Sequence, residues 1–417
     1  MMDMFVDTWE QRKLGELVKE GILEAPLDGN HGEKHPTSDE YVDSGIPFLM
    51  ASDIHNGEVN IYSCKYITKE RAERLDKGFA RNGDVLLTHK ATIGETAILS
   101  NLMTEYAMLT PQVTYYRIKN EERLNREYLY SFFNSLDFQT ELKTKAAQST
   151  RPYIGITAQQ NLKIILPAEI DEQIRIGLYF RNLDHLITLH QRKLEHVKKM
   201  KKSMLQKMFP KKNQLYPEVR FPGFTDAWEQ RKLEDIYGSI GNAFVGTATP
   251  YYVESGHFYL ESNNIKDGQI NHNTEVFIND EFYEKQKDKW LHTGDMVMVQ
   301  SGHVGHAAVI PEELNNSAAH ALIMFRNPKK EIEPYFLNYQ YQTLKSKKKI
   351  ENITTGNTIK HILASEMQQF EVDMPELAEQ KKIAEYFRAL DHLITLHQRE
   401  LDHLQLLKKG MLQQMFI

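Results

Sequence analysis

The ten-residue string LDHLITLHQR occurs twice in this chain, at residues 183–192 and again at residues 390–399. The string WEQRKL also occurs twice, at Trp9–Leu14 and Trp228–Leu233. Identity over such lengths identifies an internal duplication, which constrains the fold more than any single motif does. Between these strings the two copies keep a common arrangement of matching positions but differ in most residues. The pattern indicates one task that is performed twice, on two different targets.

The divergence is clearest in the segment that follows a short strand in each copy. Gly83–Leu87 corresponds to Gly294–Met298, and Gly94 corresponds to Gly305. The residues between these positions differ, because HKAT in the first copy stands against QSGH in the second. A shared frame with different loops predicts a common scaffold that carries two different binding surfaces.

The length and composition exclude several classes of protein. A chain of 417 residues has room for two to four domains, and 41% hydrophobic with 26% charged residues is typical of a globular protein. Cys64 is the only cysteine, which excludes an intramolecular disulfide and a cysteine-rich zinc site and indicates a reducing cytoplasm. The sequence predicts no signal peptide and no membrane span. A net charge of −6 argues against a wholly basic nucleic-acid binder but permits local basic patches.

The order of strand-like and helical segments predicts an α+β fold, in which two mixed domains are joined by two long helices. Strand-like runs in the first domain include Ile46–Met50, Val85–Thr88 and Val113–Ile118, and a helical stretch is predicted over residues 122–138. The predicted organisation is a first variable domain at residues 1–167, a long helix at 168–209, a connector at 210–223, a second variable domain at 224–374 and a second long helix at 375–417.

Apolar residues in both long helices recur at steps of three and four, which is the spacing of a coiled-coil seam. The seam positions are Leu183, Ile187, His190 and Leu194 in the first helix and Leu390, Ile394, His397 and Leu401 in the second. Antiparallel pairing would return the second helix to the first domain and create pseudo-two-fold symmetry. A helix of over thirty residues spans roughly 50 Å, so the pair could act as a ruler.

The common catalytic motifs are absent from the sequence. It contains no GxxxxGK[ST] phosphate loop, no HExxH zinc helix, no GxSxG nucleophile elbow and no GxGxxG fingerprint. There are seventeen histidines, but most stand singly, and those on the long helices are more typical of packed side chains than of metal ligands. The sequence therefore predicts no catalytic residue, no metal site and no cofactor in this chain.

Two loops in each domain carry side chains suited to DNA. The first follows the strand that starts at Gly-Asp, and the second precedes the last strand of the domain. Their histidine, lysine, amide and hydroxyl groups can bond base edges and phosphates. The predicted DNA contacts are His89, Lys90, Thr92, Thr150, Arg151 and Tyr153 in the first domain and Gln300, Ser301, His303, Asn357, Lys360 and His361 in the second. The alternative interpretation is a solvated hairpin and a connector whose hydroxyls cap helices.

Taken together, these features resemble the specificity subunit of bacterial Type I restriction–modification enzymes. The resemblance covers the full length and rests on the FPGFTDAWEQRKL string at Phe221–Leu233, the Gly-Asp strands, and the Glu-Gln pair that starts each long helix at Glu172–Gln173 and Glu379–Gln380. The first copy departs from this pattern because no FPGF string precedes Trp9, which argues against a docking role for that end.

The resemblance implies that each variable domain is a target recognition domain that reads one half of a split double-stranded DNA site. It also implies that the helices set the distance between the halves and bind two adenine-methylating modification subunits, and that restriction subunits with motor and nuclease activity join for cleavage. S-adenosylmethionine is then expected in the modification subunit, and ATP and magnesium in the restriction subunit. Two other interpretations stay open: a standalone two-domain nucleic-acid binder, and a coiled-coil adaptor that spaces two interaction modules.

Overall fold

The computed structural model describes residues 9–147, 152–356 and 360–416. The chain forms two compact units, the first made of Met1–Arg192 with Gln398–Ile417 and the second of Lys193–His397. The α-helices are α1 (Leu14–Lys19), α2 (Lys69–Glu73), α3 (Arg126–Phe133), α4 (Leu136–Ala146), α5 (Ile156–Gln159), α6 (Ile170–Lys207), α7 (Leu233–Ile236), α8 (Asp280–Glu284), α9 (Pro334–Tyr341), α10 (Leu344–Ile353), α11 (Ala364–Gln368) and α12 (Leu377–Met415).

Short strands make up the sheets of both units. In the first unit they are β1 (Trp9–Lys13), β2 (Leu27–Asp28), β3 (Ile46–Leu49), β4 (Ile54–His55), β5 (Glu58–Val59), β6 (Lys65–Ile67), β7 (Phe79–Ala80), β8 (Val85–Lys90), β9 (Thr92–Ile98), β10 (Ala107–Leu109), β11 (Val113–Tyr116) and β12 (Lys163–Pro167). In the second unit they are β13 (Glu229–Lys232), β14 (Tyr237–Asn242), β15 (Tyr252–Val253), β16 (His257–Leu260), β17 (Ile265–Lys266), β18 (Gln269–Ile270), β19 (Phe277–Ile278), β20 (Met296–Val299), β21 (Ala307–Val309), β22 (Ala318–Ala319), β23 (Leu322–Pro328) and β24 (Glu371–Met374).

The two units share one sheet plan. The first has the four-stranded sheets β2–β11–β8–β9 and β6–β3–β10–β7, and the second has β14–β23–β20–β21 and β15–β19–β16–β22. Each unit contains one parallel pair, β3 with β10 and β16 with β22, among the described strands. The small pairs β4–β5 and β17–β18 also correspond. The predicted α+β fold of two repeated domains is confirmed.

The repeated WEQRKL string forms the same edge pairing in both units. β1 pairs antiparallel with β12, and β13 pairs antiparallel with β24, so each string closes the domain next to its last strand. Trp9 packs edge-on against Tyr128 and also contacts Phe416, which follows α12. The string therefore ties the end of a long helix to the domain that it reaches.

The second copy makes the equivalent aromatic contacts. Trp228 is buried and packs against Phe209 and Phe336 with ring centroids 5.9 and 5.5 Å apart. Phe209 follows α6, as Phe416 follows α12. The two tryptophans thus have the same structural role, although the segments that precede them differ.

The glutamine of each Glu-Gln pair bonds backbone groups that lie beside the start of its long helix. In the first unit, Gln173 accepts a hydrogen bond from the backbone of Asn125 at 3.0 Å and donates one to the Pro167 carbonyl at 3.0 Å. In the second unit, Gln380 accepts from the backbone of Glu333 at 3.2 Å and donates to the Pro375 carbonyl at 2.9 Å. Both glutamines are buried, so each satisfies backbone groups at a helix end that water does not reach.

The predicted helical stretch over residues 122–138 is wrong as a single helix. It contains α3 and the start of α4, which are separated at Asn134 and Ser135. The Ser135 side chain accepts a hydrogen bond from the Phe138 backbone and caps α4. A serine at this position competes with the helix backbone and favours a new N-terminus over continuation.

The two long helices run antiparallel in both units. In the first unit, Phe180 stacks against Phe416, with 5.8 Å between ring centroids, so the start of α6 meets the end of α12. In the second unit, Phe209 stacks against Phe387 at 6.0 Å. Leucines at the predicted seam are buried, and the isoleucines and histidines there are half-buried. The prediction of an antiparallel coiled coil is confirmed.

Candidate nucleic-acid interface

In the first unit the two predicted DNA-contacting loops lie side by side. β8 and β9 form a hairpin that turns at Ala91, where φ is +69°. The second loop joins this hairpin, because Lys90 and Tyr153 form an antiparallel bridge and the Ile154 N–H donates to the His89 carbonyl at 3.2 Å. Segments that are separated by more than fifty residues in the sequence therefore form one surface.

The second unit joins its two loops in the same way. Ser301 and His361 form an antiparallel bridge. The Gly302 N–H donates to the Lys360 carbonyl at 3.0 Å, and the Ile362 N–H donates to the Gln300 carbonyl at 3.0 Å. The same meeting of loops occurs in two domains whose loop residues differ, so it is a property of the shared scaffold.

The placement of His89 corrects the sequence prediction. Its side chain is fully buried, so it cannot contact DNA as the exposed loop residue that was predicted. Its Nδ1–H donates to the Ile154 carbonyl at 3.0 Å, and its ring packs against Tyr153. Burial lowers the pKa of His89 to about 4, although the carboxylate of Asp28, 3.9 Å away, opposes this shift. Neutral His89 therefore supports the second loop through its hydrogen bond to the Ile154 carbonyl.

The other described residues of the first interface lie at the surface. Lys90, Thr92 and Tyr153 are exposed. The Lys90 ammonium lies 6.0 Å from the centre of the Tyr153 ring. A cation beside an exposed aromatic ring can contact a phosphate and a base or sugar face together. The predicted contacts Thr150 and Arg151 lie outside the described residues.

The second interface borders an open cleft. Gln300 and Ser301 are half-buried, whereas His303, Lys360 and His361 are exposed. His303 donates to the Ser262 carbonyl at 3.1 Å, which holds its ring at the cleft mouth. The predicted contact Asn357 lies outside the described residues.

The cleft has a volume of about 420 Å³ and lies between the first loop and α10. Lys347 and Lys360 contribute cations to its lining, and Asp267 and Glu351 contribute carboxylates. His306 is half-buried there, and its Nδ1 accepts a hydrogen bond from the Asp267 backbone at 3.2 Å. Burial lowers the pKa of its ring. The cleft therefore combines two cations, two carboxylates and other hydrogen-bonding groups beside the predicted loops.

Lys347 is absent from the sequence prediction. It belongs to α10, whose LKSKKK segment holds four lysines between residues 344 and 349. Lys345 is bound to Asp373 at 2.5 Å and Lys349 donates to the Glu371 carbonyl, but Lys347 and Lys348 are exposed. The corresponding helix α4 reads LDFQTELKTKA and balances its two lysines with two acidic residues. The excess of lysines in α10 compared with α4 was the sequence signal that could have identified Lys347.

Comparison with known proteins identifies the family. Residues 6–199 and 225–406 each match the family described as Type I restriction modification DNA specificity domain. The chain belongs to this family. It is therefore a specificity subunit, which recognises DNA sequence for a Type I restriction–modification complex, and the resemblance stated from the sequence is confirmed. The two matches cover the two copies of the internal repeat.

Two curated relatives come from Methanocaldococcus jannaschii. The chain is 22% identical to the Type I restriction enzyme MjaVIII specificity subunit over 419 aligned positions, which cover 97% of this chain and 91% of the relative. It is 26% identical to the MjaIX specificity subunit over 205 positions, which cover 47% of this chain and 46% of the relative. The crystal structure of the Type I restriction–modification S subunit from M. genitalium matches with a TM-score of 0.64 at 13% identity, and covers 100% of this chain and 98% of that one. This structural likeness supports the fold.

The described residues contain neither a metal-binding cluster nor a membrane-spanning helix. Among the described residues, no three His, Cys, Asp or Glu side chains are placed to hold a metal ion. No helix in the described ranges is both long and apolar enough to cross a membrane.

Proposed function

We propose that each unit reads one half of a bipartite DNA site through its two joined loops. The observation that carries this proposal is the repeated loop junction, Lys90 with Tyr153 in the first unit and Ser301 with His361 in the second. Similar backbones place different side chains at the two junctions. Base edges are distinguished by the pattern of donors and acceptors, so different side chains on one frame would read different half-sites.

The long helices are proposed to bind two copies of one partner, the modification subunit. The identical decapeptides expose the same leucines, Leu186 and Leu189 in the first copy and Leu393 and Leu396 in the second. Exposed apolar side chains beside a buried seam are typical of a protein interface. Because the two surfaces have the same sequence, they would suit the same partner.

The activities of the complete enzyme are proposed to belong to the partners. S-adenosylmethionine would bind the modification subunits, and ATP and magnesium would bind the restriction subunits. This chain would set the sequence and the spacer, and the complex would work in the cytoplasm on double-stranded DNA.

Two measurements test this proposal against the standalone binder and the adaptor. The pure chain with S-adenosylmethionine and DNA should transfer no methyl groups, and addition of the modification subunit should produce adenine methylation. Binding of the complex to its DNA should weaken steeply with added salt, because cations that neutralise phosphates release counterions. Failure to co-purify with a modification subunit would favour the standalone binder, and absence of DNA binding would favour the adaptor.

A further inference from the structure

A polar cluster of three residues interrupts the apolar contacts of the long helices in the first unit. Lys408 of α12 contacts Asp184 of α6, with 2.5 Å between Nζ and Oδ1. Tyr130 of α3 donates its hydroxyl to the other carboxylate oxygen of Asp184 at 3.3 Å. One carboxylate therefore joins both long helices and the recognition domain at that end.

The second unit contains the same cluster. Lys201 of α6 contacts Asp391 of α12, with 2.6 Å between Nζ and Oδ1. Tyr339 of α9 donates to the other oxygen of Asp391 at 2.8 Å, and the Lys201 ammonium lies 5.4 Å from the centre of its ring. The helices exchange roles between the two clusters, because α6 supplies the carboxylate in the first and the lysine in the second. We refer to the two clusters as the Tyr-Asp-Lys clusters.

The internal repeat generates this exchange. Asp391 lies 207 residues after Asp184, and Lys408 lies 207 residues after Lys201, which is the interval that separates the two LDHLITLHQR strings (390 minus 183). The tyrosines come from domains that differ in most residues, yet both reach the carboxylate. Retention of the cluster in both copies points to a shared role.

Because these clusters are largely buried, the strength of each ion pair depends on how well its two charged groups meet. The side chains of Lys201 and Asp391 are each 13% exposed, and those of Asp184 and Lys408 are 25% and 20% exposed. A largely buried ion pair loses much of its hydration, so it is favourable only when its partners meet well. Sliding one helix past the other by one turn, about 5 Å, would separate both pairs. Polar groups at a coiled-coil seam are known to specify register in this way.

We propose that the Tyr-Asp-Lys clusters lock each recognition domain to both long helices in one register, and that this lock restricts the enzyme to one spacer length. The six residues are positioning residues and do not contact DNA. This inference rests on the proposed function, because a spacer exists only if the two units read separate half-sites.

The test is methylation mapping in cells that contain this chain with its modification subunit. Asp184→Lys should lower methylation at the wild-type spacer about tenfold and add methylation at spacers one base pair longer or shorter, because two like charges replace the pair. Asp184→Lys combined with Lys408→Asp restores the attraction and should return methylation to within about twofold of wild type. Lys409→Asp makes the same charge change as Lys408→Asp, but at the next position of α12, which is exposed. It should leave the spacer unchanged.

The outcomes separate this proposal from the proposed function. Methylation at unchanged half-sites with a single spacer in Asp184→Lys would overturn the register lock and leave half-site reading intact. Loss of the half-site sequences themselves would count against the proposed function. If Asp184→Lys does not fold, Asp184→Asn and Tyr130→Phe remove one interaction each and should still broaden the spacer. A single spacer in both would overturn the lock.

Discussion

Among the loop positions that differ between the two units, His89 and its counterpart Gln300 show the clearest structural contrast. In the first unit His89 is fully buried and holds the second loop through the Ile154 carbonyl. In the second unit Gln300 is half-buried, and its backbone carbonyl accepts a hydrogen bond from the Ile362 N–H. This bond corresponds to the one from the Ile154 N–H to the His89 carbonyl, which the first unit has in addition to the His89 side-chain bond. The same backbone junction is thus reinforced by a buried side chain in the first unit and rests on backbone bonds in the second, which leaves surface positions free to diverge.

The largest expected difference concerns stability. His89→Ala removes a buried ring and its hydrogen bond, so the free energy of unfolding of the first unit should fall by about 2–4 kcal/mol. Gln300→Ala should cost the second unit less than about 1 kcal/mol, because its side chain is only half-buried. Native-state hydrogen exchange would measure each unit separately. Equal losses in the two units would contradict the assigned role of His89.

A second difference should appear when the pH is lowered. The folded first unit keeps His89 neutral down to its pKa of about 4, whereas in the unfolded chain this group takes up a proton near its ordinary pKa of 6.5. Between these values the unfolded state binds more protons, so stability falls as the pH falls. From pH 7.5 to pH 5.0 the contribution of His89 should fall by about 2 kcal/mol. His89→Gln should remove this part of the dependence, and an unchanged dependence would show that His89 is not its source.

A third difference concerns DNA binding at the second-unit cleft. Replacement of both Lys347 and Lys360 by alanine should reduce the magnitude of the slope of log affinity against log salt by about 2. Lys90→Ala should reduce it by about 1. Lys348→Ala, next to Lys347 but outside the cleft lining, is the matched control. Filter-binding titrations over a range of salt concentrations measure all four proteins. An unchanged slope in the double variant would remove the cleft from the interface.

The smallest expected effect lies at the hairpin turn. Ala91 has a φ of +69°, and the corresponding Gly302 has a φ of +82°. A side chain in this left-handed region is strained, so Ala91→Gly should stabilise the first unit by about 0.5–1 kcal/mol. Thermal unfolding would detect the change. Destabilisation would show that the Ala91 methyl group makes compensating contacts.

The sequence was sufficient to predict features that repeat or follow a period. The duplicated strings and the heptad spacing predicted two domains and two antiparallel helices, because a duplicated helix with one apolar seam has few ways to bury it. The loops were located by their glycines and polar residues.

Burial of His89 was not predictable, because it depends on the meeting of two distant loops. The break at Ser135 depends on a side-chain cap that competes with helix propensity, and the role of Lys347 depends on which face of α10 borders the cleft.

The proposed function requires that two diverged domains on one scaffold read two half-sites independently. Its most direct test replaces residues 224–374 with the second domain of another specificity subunit and maps adenine methylation in cells that also contain the modification subunit. One half-site should change, while the other half-site and the spacer should stay as in the wild type. If both half-sites changed together, or if neither did, the claim would be contradicted.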